Sequence, residues 1–152
     1  MRILAIDPGS KQSAYVVYEG SLETISHHGF IDNGELLNAI KLPSWAVDLL
    51  AIESIEGFGM TAGQELFDTC FWSGRFCQAF RGQFQRSGRK AIKIHICGST
   101  QAKDKDVREA LIYRFGEPGT KKNPGKLYGI SGHCWSALAV AVYASDKATG
   151  RI

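Results

Sequence analysis

The 152-residue chain has little that would staple, anchor or divide it. It has four cysteines, Cys70, Cys77, Cys97 and Cys134, and none of them stands in Cys-x-x-Cys spacing. Structural zinc and a disulfide framework are therefore not expected, and the thiols should be buried. No apolar stretch approaches the ~20 residues that cross a bilayer. The opening Met-Arg-Ile-Leu-Ala-Ile-Asp is charged too early for a secretory signal. The expectation is a cytoplasmic protein without a membrane partner. No internal repeat, low-complexity tract or linker breaks the chain, so residues 1–152 are expected to form one domain. The Gly-x-x-x-x-Gly-Lys-Ser/Thr phosphate loop is missing as well. Together with the short length, that argues against the two-lobed sugar kinases and ATPases. Apolar residues at 44% and charged residues at 22% are ordinary for a globular protein with a real core.

Two short strands that end alike stand out. Ile3-Leu4-Ala5-Ile6-Asp7 and Leu49-Leu50-Ala51-Ile52-Glu53 each close an apolar run on a carboxylate. Continuous apolar runs of this length suit strands buried on both faces. If the two lie parallel and in register, their backbones are ~4.8 Å apart, and Asp7 and Glu53 face one small volume. Two such carboxylates repel unless a proton or a cation sits between them. At neutral pH an oxygen-seeking divalent metal is the natural resolution.

The rest of the chain reads as alternating elements. Strands are expected over 2–7, 12–18, 22–31, 46–53 and 91–96, and helices over 34–42, 62–85, 103–115 and 132–147. Residues 116–129 form a loop rich in Gly, Pro, Lys and Asn. Ser131 is a plausible N-cap for the last helix. Gly74 within 62–85 marks a close contact or a kink. His27 and His28 are adjacent on a strand and so point to opposite faces, which suits a solvated edge and not one metal. An antiparallel three-strand start followed by crossover helices implies an α/β fold with a mixed sheet and helices on both faces. Right-handed crossovers can set the fourth strand beside the first.

This string of elements, with acids at the tips of strands one and four, resembles the ribonuclease H-like fold. Within it the chain resembles the RuvC-type Holliday-junction resolvases, in a compact phage or prophage-like version whose setting would be the host cytoplasm. Ile6-Asp7-Pro8-Gly9 matches the first motif of that family, Ala51-Ile52-Glu53 the second, and Ala137-Leu138-Ala139-Val140-Ala141 the body of the last helix. The resemblance implies a five-stranded sheet in the order 3-2-1-4-5. It also implies magnesium-dependent phosphodiester hydrolysis, with manganese as substitute and two ions per site. Asp7, Glu53, His133 and Ser136 would be the ligands, and Lys105 would act near the scissile phosphate with Lys103 as its neighbouring candidate. Ser136 departs from the family, because a neutral hydroxyl is a weaker ligand for a hard cation than a carboxylate. Asp146 cannot replace it, lying ~20 Å along the helix from His133. Glu56, Glu65, Asp104 and Asp106 remain open as a substitute. The alternative for His133 is a buried, hydrogen-bonded core histidine.

The charge is unevenly distributed. Residues 1–72 carry three Lys/Arg against ten Asp/Glu, a net −7, and residues 73–152 carry fifteen against five, a net +10. Either an anionic polymer is held on one side, or folding interleaves the halves and cancels the fields. Arg81, Arg86, Arg89, Lys90 and Lys93, with Lys121, Lys122 and Lys126 in the loop, form a candidate surface for the backbone of branched DNA such as a four-way junction. Phe58 and Met60, which follow Glu53, are by the same resemblance candidates for contact with unstacked bases at the junction's opened centre, and core packing of Phe58 is the alternative. Trp72 and Trp135 fit a core or a dimer face. A near two-fold junction that must be cut twice suits a C2 homodimer, with the 62–85 helix as its face by resemblance. Competing readings are a nuclease of the same fold acting on flaps, forks or RNA–DNA hybrids, and a non-catalytic binder of branched DNA with a degenerate site.

Overall fold

The computed structural model describes residues 1–57, 59 and 61–152. Phe58 and Met60, both considered above for base contact, lie outside the described residues. Five strands, β1 (Arg2–Asp7), β2 (Gln12–Glu19), β3 (Thr24–Asp32), β4 (Leu49–Ser54) and β5 (Gln83–Gly88), make one sheet in the order β3-β2-β1-β4-β5. The first three are antiparallel neighbours, and β4 runs parallel to both β1 and β5. The helices are α1 (Asn33–Lys41), α2 (Gln64–Ala79), α3 (Arg89–Cys97), α4 (Asp104–Phe115) and α5 (Cys134–Ala148). No helix among the described residues is long and apolar enough to cross a membrane.

Residue parity divides the core into two layers. Ile3, Ala5 and Ala51 face α3, α4 and the Ala/Val-rich α5, whereas Leu4, Ile6, Leu50 and Ile52 face α1 and α2. Helices therefore cover both faces of the sheet, as the fully apolar strands require. The same parity carries Asp7, two residues beyond Ala5, and Glu53, two beyond Ala51, toward the α5 side.

The fifth strand is not where apolar alternation puts it. Residues 91–96 lie within α3, where Ile92 and Ile96 pack inward one turn apart while Ile94 is exposed. The actual strand, Gln-Phe-Gln-Arg-Ser-Gly, is polar because it forms the sheet's edge, and Phe84 faces solvent. The expected 62–85 helix accordingly stops at Ala79, and residues 80–85 instead lead into β5 and form its first half. Gly74 does not interrupt α2, and a Cβ there would meet nothing within 4 Å. All four cysteines are free. Cys77 and Cys134 are buried as expected, but Cys97 is only partly buried and Cys70, on α2, is exposed.

Candidate active site

The turn after β1 is locked before the site is built. Ser13 and Asn33 are both buried. The Gly9 N–H donates to Ser13 Oγ at 3.1 Å, Ser13 Oγ donates to Asn33 Oδ1 at 2.6 Å, and Asn33 Nδ2 donates to the Gly9 carbonyl at 2.8 Å. A Cβ on Gly9 would lie 2.2 Å from the Gln12 carbonyl oxygen, so only glycine fits the close turn. This polar lock fixes the segment leaving Asp7. Sequence reasoning missed both Ser13 and Asn33. The available signal was a polar residue at a strand position that should be apolar.

β1 and β4 pair parallel through Ile6↔Ile52, which brings Asp7 and Glu53 to neighbouring strand tips. Both side chains are largely buried, with 15% and 11% exposed. The Asp7 carboxyl is pushed from 3.8 to about 6, first by burial and then by the charge of Glu53, with His133 and Arg89 pulling the other way. His133 is the residue preceding the first turn of α5, and its Nδ1 lies 3.3 Å from Asp7 Oδ2. It is 67% exposed, so it is not a sealed core histidine. Its ring stacks on Phe30 from β3, with centroids 5.3 Å apart. The helix starts after His133 and not after Ser131, whose carbonyl instead accepts the Cys134 N–H.

Ser136, one turn into α5, lines a cavity of about 490 Å³ together with Glu53, His133, Arg89, Asp104 and Lys105. Lys105 is exposed and only loosely held, 3.6 Å from Glu109. Of the four substitute carboxylates, Asp104 is the one tied to the pair. Arg89 Nη1 is 3.2 Å from Glu53 Oε1, and Arg89 Nη2 pairs with Asp104 Oδ1. Asp106 caps α4 by accepting the Lys103 N–H at 2.7 Å, and Glu56 packs over Gly88. Glu65 lines a separate cleft on the other side of His133, shared with Asp7.

The candidate DNA-binding cations do not form one patch. Arg86 pairs in register with Ile52, one residue from Glu53, but Arg81 precedes β5 at the opposite end of the sheet, beside Trp45 and Phe80. Arg89 is half-exposed at the rim of the site, engaged by Glu53 and Asp104. Lys90, Lys103, Lys121, Lys122 and Lys126 are exposed.

Two carboxylates in each other's field, with an imidazole alongside, form a donor set that fits a hard divalent cation. Among the described residues no three His, Cys, Asp or Glu side chains converge closely enough to hold an ion. The third carboxylate reaches the pair only through the Arg89 guanidinium.

The sheet order, the acids on β1 and β4, and the helix that closes over them define a ribonuclease H-like fold. Among solved structures, the chain is similar to Thermus thermophilus RuvC, with a TM-score of 0.71 at 18% identity over 99% of this chain and 97% of that one. T. thermophilus RuvC in complex with a Holliday junction substrate gives a TM-score of 0.75 at 17% identity, covering 99% and 96%. The yeast mitochondrial Holliday junction resolvase Ydc2 gives 0.58 at 10% identity, covering 99% and 83%. By sequence the chain matches no protein-family model and none of the curated proteins.

Proposed function

We propose that this protein is a divalent-metal-dependent nuclease that hydrolyses phosphodiester bonds in branched DNA, four-way junctions foremost. The carrying observation is the pair Asp7 and Glu53 at matched tips of parallel strands with His133 beside them. The fold likeness supports it, since one similar structure is a RuvC bound to a Holliday junction.

Asp7, Glu53 and His133 would hold magnesium, or manganese in its place, with Ser136 reaching it directly or through water. The bound ion supplies Lewis-acid activation of water and stabilisation of the leaving oxygen. His133, exposed and beside Asp7, is placed to orient the attacking water or accept its proton. Lys105, at the cavity mouth, would offset charge developing on the phosphate. Lys121, Lys122, Lys126 and Arg86 would hold the DNA backbone without reading its sequence.

A C2 homodimer is part of this reading. On α2 only Thr69, Phe76 and Cys77 are buried, while Phe67 is 58% and Phe71 64% exposed. Such an apolar face suits a second copy. Phe71→Asp should give a monomer in light scattering, and a persisting dimer would remove α2 as the interface.

Asp7→Asn should abolish cleavage of a four-way junction in magnesium while binding persists. Full cleavage by that variant would remove the site. The hydroxyl at Ser136 favours one second reading, a non-catalytic binder of branched DNA. Intact junction after prolonged incubation of wild-type protein with magnesium or manganese, with binding retained, would establish that alternative. Parallel assays on forks, flaps and RNA–DNA hybrids decide substrate preference.

A further inference from the structure

The carboxylate site already contains a cation. Arg89 opens α3 immediately after the edge strand β5, and its guanidinium spans from Glu53 to Asp104. Guanidinium is permanently charged and offers two donors in one plane, so it can bridge two carboxylates that no single ammonium would hold as firmly. At Glu53 it occupies the role that an external cation would take. Asp7, Glu53 and Asp104 together carry −3 when ionised, and Arg89 returns +1. One divalent ion would bring the set to zero, but it would meet a Glu53 whose Oε1 is already engaged.

We propose, resting on the metal-dependent reading above, that Arg89 is a displaceable internal counter-ion. It holds Glu53 and Asp104 in the metal-free protein. It yields Glu53 when a divalent cation reaches the strand tips, and it then carries its charge to a DNA phosphate in the adjoining cavity. That cavity is lined by Lys93, one turn beyond Arg89 on α3, and by Arg108, one turn beyond Asp104 on α4. Arg108 is braced over the Trp135 ring at 5.2 Å. A released guanidinium therefore moves toward fixed positive charge, which is favourable only when an anion is there to receive it. Metal and phosphate are coupled in this way, and ion binding without DNA is held weak. Asp104, at 77% exposure, is a positioning residue that keeps Arg89 at the rim.

The test is calorimetric titration of the full chain with manganese, without DNA, for wild type, Arg89→Gln, Arg89→Lys and Asp7→Asn, each checked by circular dichroism for folding. Even at the dielectric of water, removing one positive charge ~6 Å from a divalent ion is worth roughly tenfold in affinity. Arg89→Gln should bind manganese about tenfold tighter than wild type by that estimate, yet cut junctions more slowly at saturating metal. Arg89→Lys keeps the charge but grips the two carboxylates less firmly, so its manganese affinity should fall between wild type and Arg89→Gln. Manganese affinity in Arg89→Gln equal to or weaker than wild type overturns the proposal, as does an Arg89→Lys as tight as Arg89→Gln. If these fail while Asp7→Asn still loses manganese binding, the counter-ion alone is lost. If Asp7→Asn binds manganese like wild type, the ion is not at the strand tips, and both this proposal and the metal-dependent reading fall.

Discussion

Asp7→Asn should stabilise the metal-free protein at neutral pH, although it removes a residue placed at the centre of the site. The Asp7 side chain is 15% exposed, and its carboxyl is raised from 3.8 to about 6, by burial first and by Glu53 second. A group raised in this way holds its proton longer folded than unfolded. Its contribution to stability is fully present below 3.8 and is lost as pH rises through about 6. At ~1.36 kcal/mol per pKa unit, the ionised carboxylate costs the fold ~3 kcal/mol once the pH is above that window. Asparagine carries no charge at any pH. The variant should match wild type near pH 4 and exceed it near pH 7.5 by up to ~3 kcal/mol, less ~1 kcal/mol for the weakened hydrogen bond to His133.

Urea unfolding followed by circular dichroism in EDTA, from pH 4 to 7.5, measures the gap, and unchanged m-values would show that the unfolded state is unaffected. Carboxyl groups remote from the strand tips titrate alike in both proteins and cancel, so the difference reports Asp7 together with the Glu53 and His133 groups it interacts with. Magnesium should then raise the stability of wild type by mass action and leave the variant where it was. A variant less stable than wild type at pH 7.5, or a gap that does not change with pH, would refute the idea that the strand tips hold an under-compensated carboxylate pair.

Other substitutions probe the surrounding structure. Ser13→Ala leaves Asn33 Oδ1 and the Gly9 N–H without their buried partner. It should cost ~1–3 kcal/mol in denaturant unfolding and lower cleavage by freeing the Asp7 turn. Arg114→Ala strips the 3%-exposed Asp146 carboxylate of its main partner, which donates to it at 2.6 and 2.9 Å, and should cost ~3–5 kcal/mol in the same assay. Burial pushes the Asp146 pKa up, but hydrogen bonds from Arg114 and His95 outweigh it and hold it below the usual value. Wild type therefore loses this stability as pH falls through the depressed pKa, and the variant should lose less in that acid window. Lys121→Ala/Lys122→Ala should flatten the slope of log affinity against log salt by ~0.9 for each phosphate no longer neutralised, and an unchanged slope would exclude the loop.

The central strands were legible in the sequence because burial on both faces forces a continuous apolar run, and β1 and β4 have nowhere else to place one. The acids at their tips were legible for the complementary reason: a charge at the end of such a run has no place in the core. β5 was not legible, because an edge strand needs its backbone and little else, and its six residues hide between two helices. Alternation at 91–96 misled because Ile92, Ile94 and Ile96 fit a strand period of two, while Ile92 and Ile96 also fit one face of a helix. The bridge from Arg89 to Glu53 and Asp104 spans 36 and 15 residues of sequence, and no local pattern announces a contact between side chains on separate elements.

The uneven charge of the two halves is used in two different ways by the fold. Inside the molecule, cations of the second half are spent on acids of the first, with Arg89 on Glu53 and Arg114 and Arg151 on Glu23. Lys121, Lys122 and Lys126 instead stand exposed on the loop before α5. Interleaving therefore pairs some cations with acids at the sheet and leaves the lysines of that loop exposed, a few residues before His133. On the proposed reading, a polyanion engaged by that loop would also meet Arg89, a cation at the strand tips that an incoming charge could redirect without unfolding an element. Arg114, tied to Glu23 and Asp146 together, cannot play that part, because its release would strand a carboxylate in the core. Half-exposed Arg89 can, since Asp104 opens to solvent and Glu53 would pass to the metal.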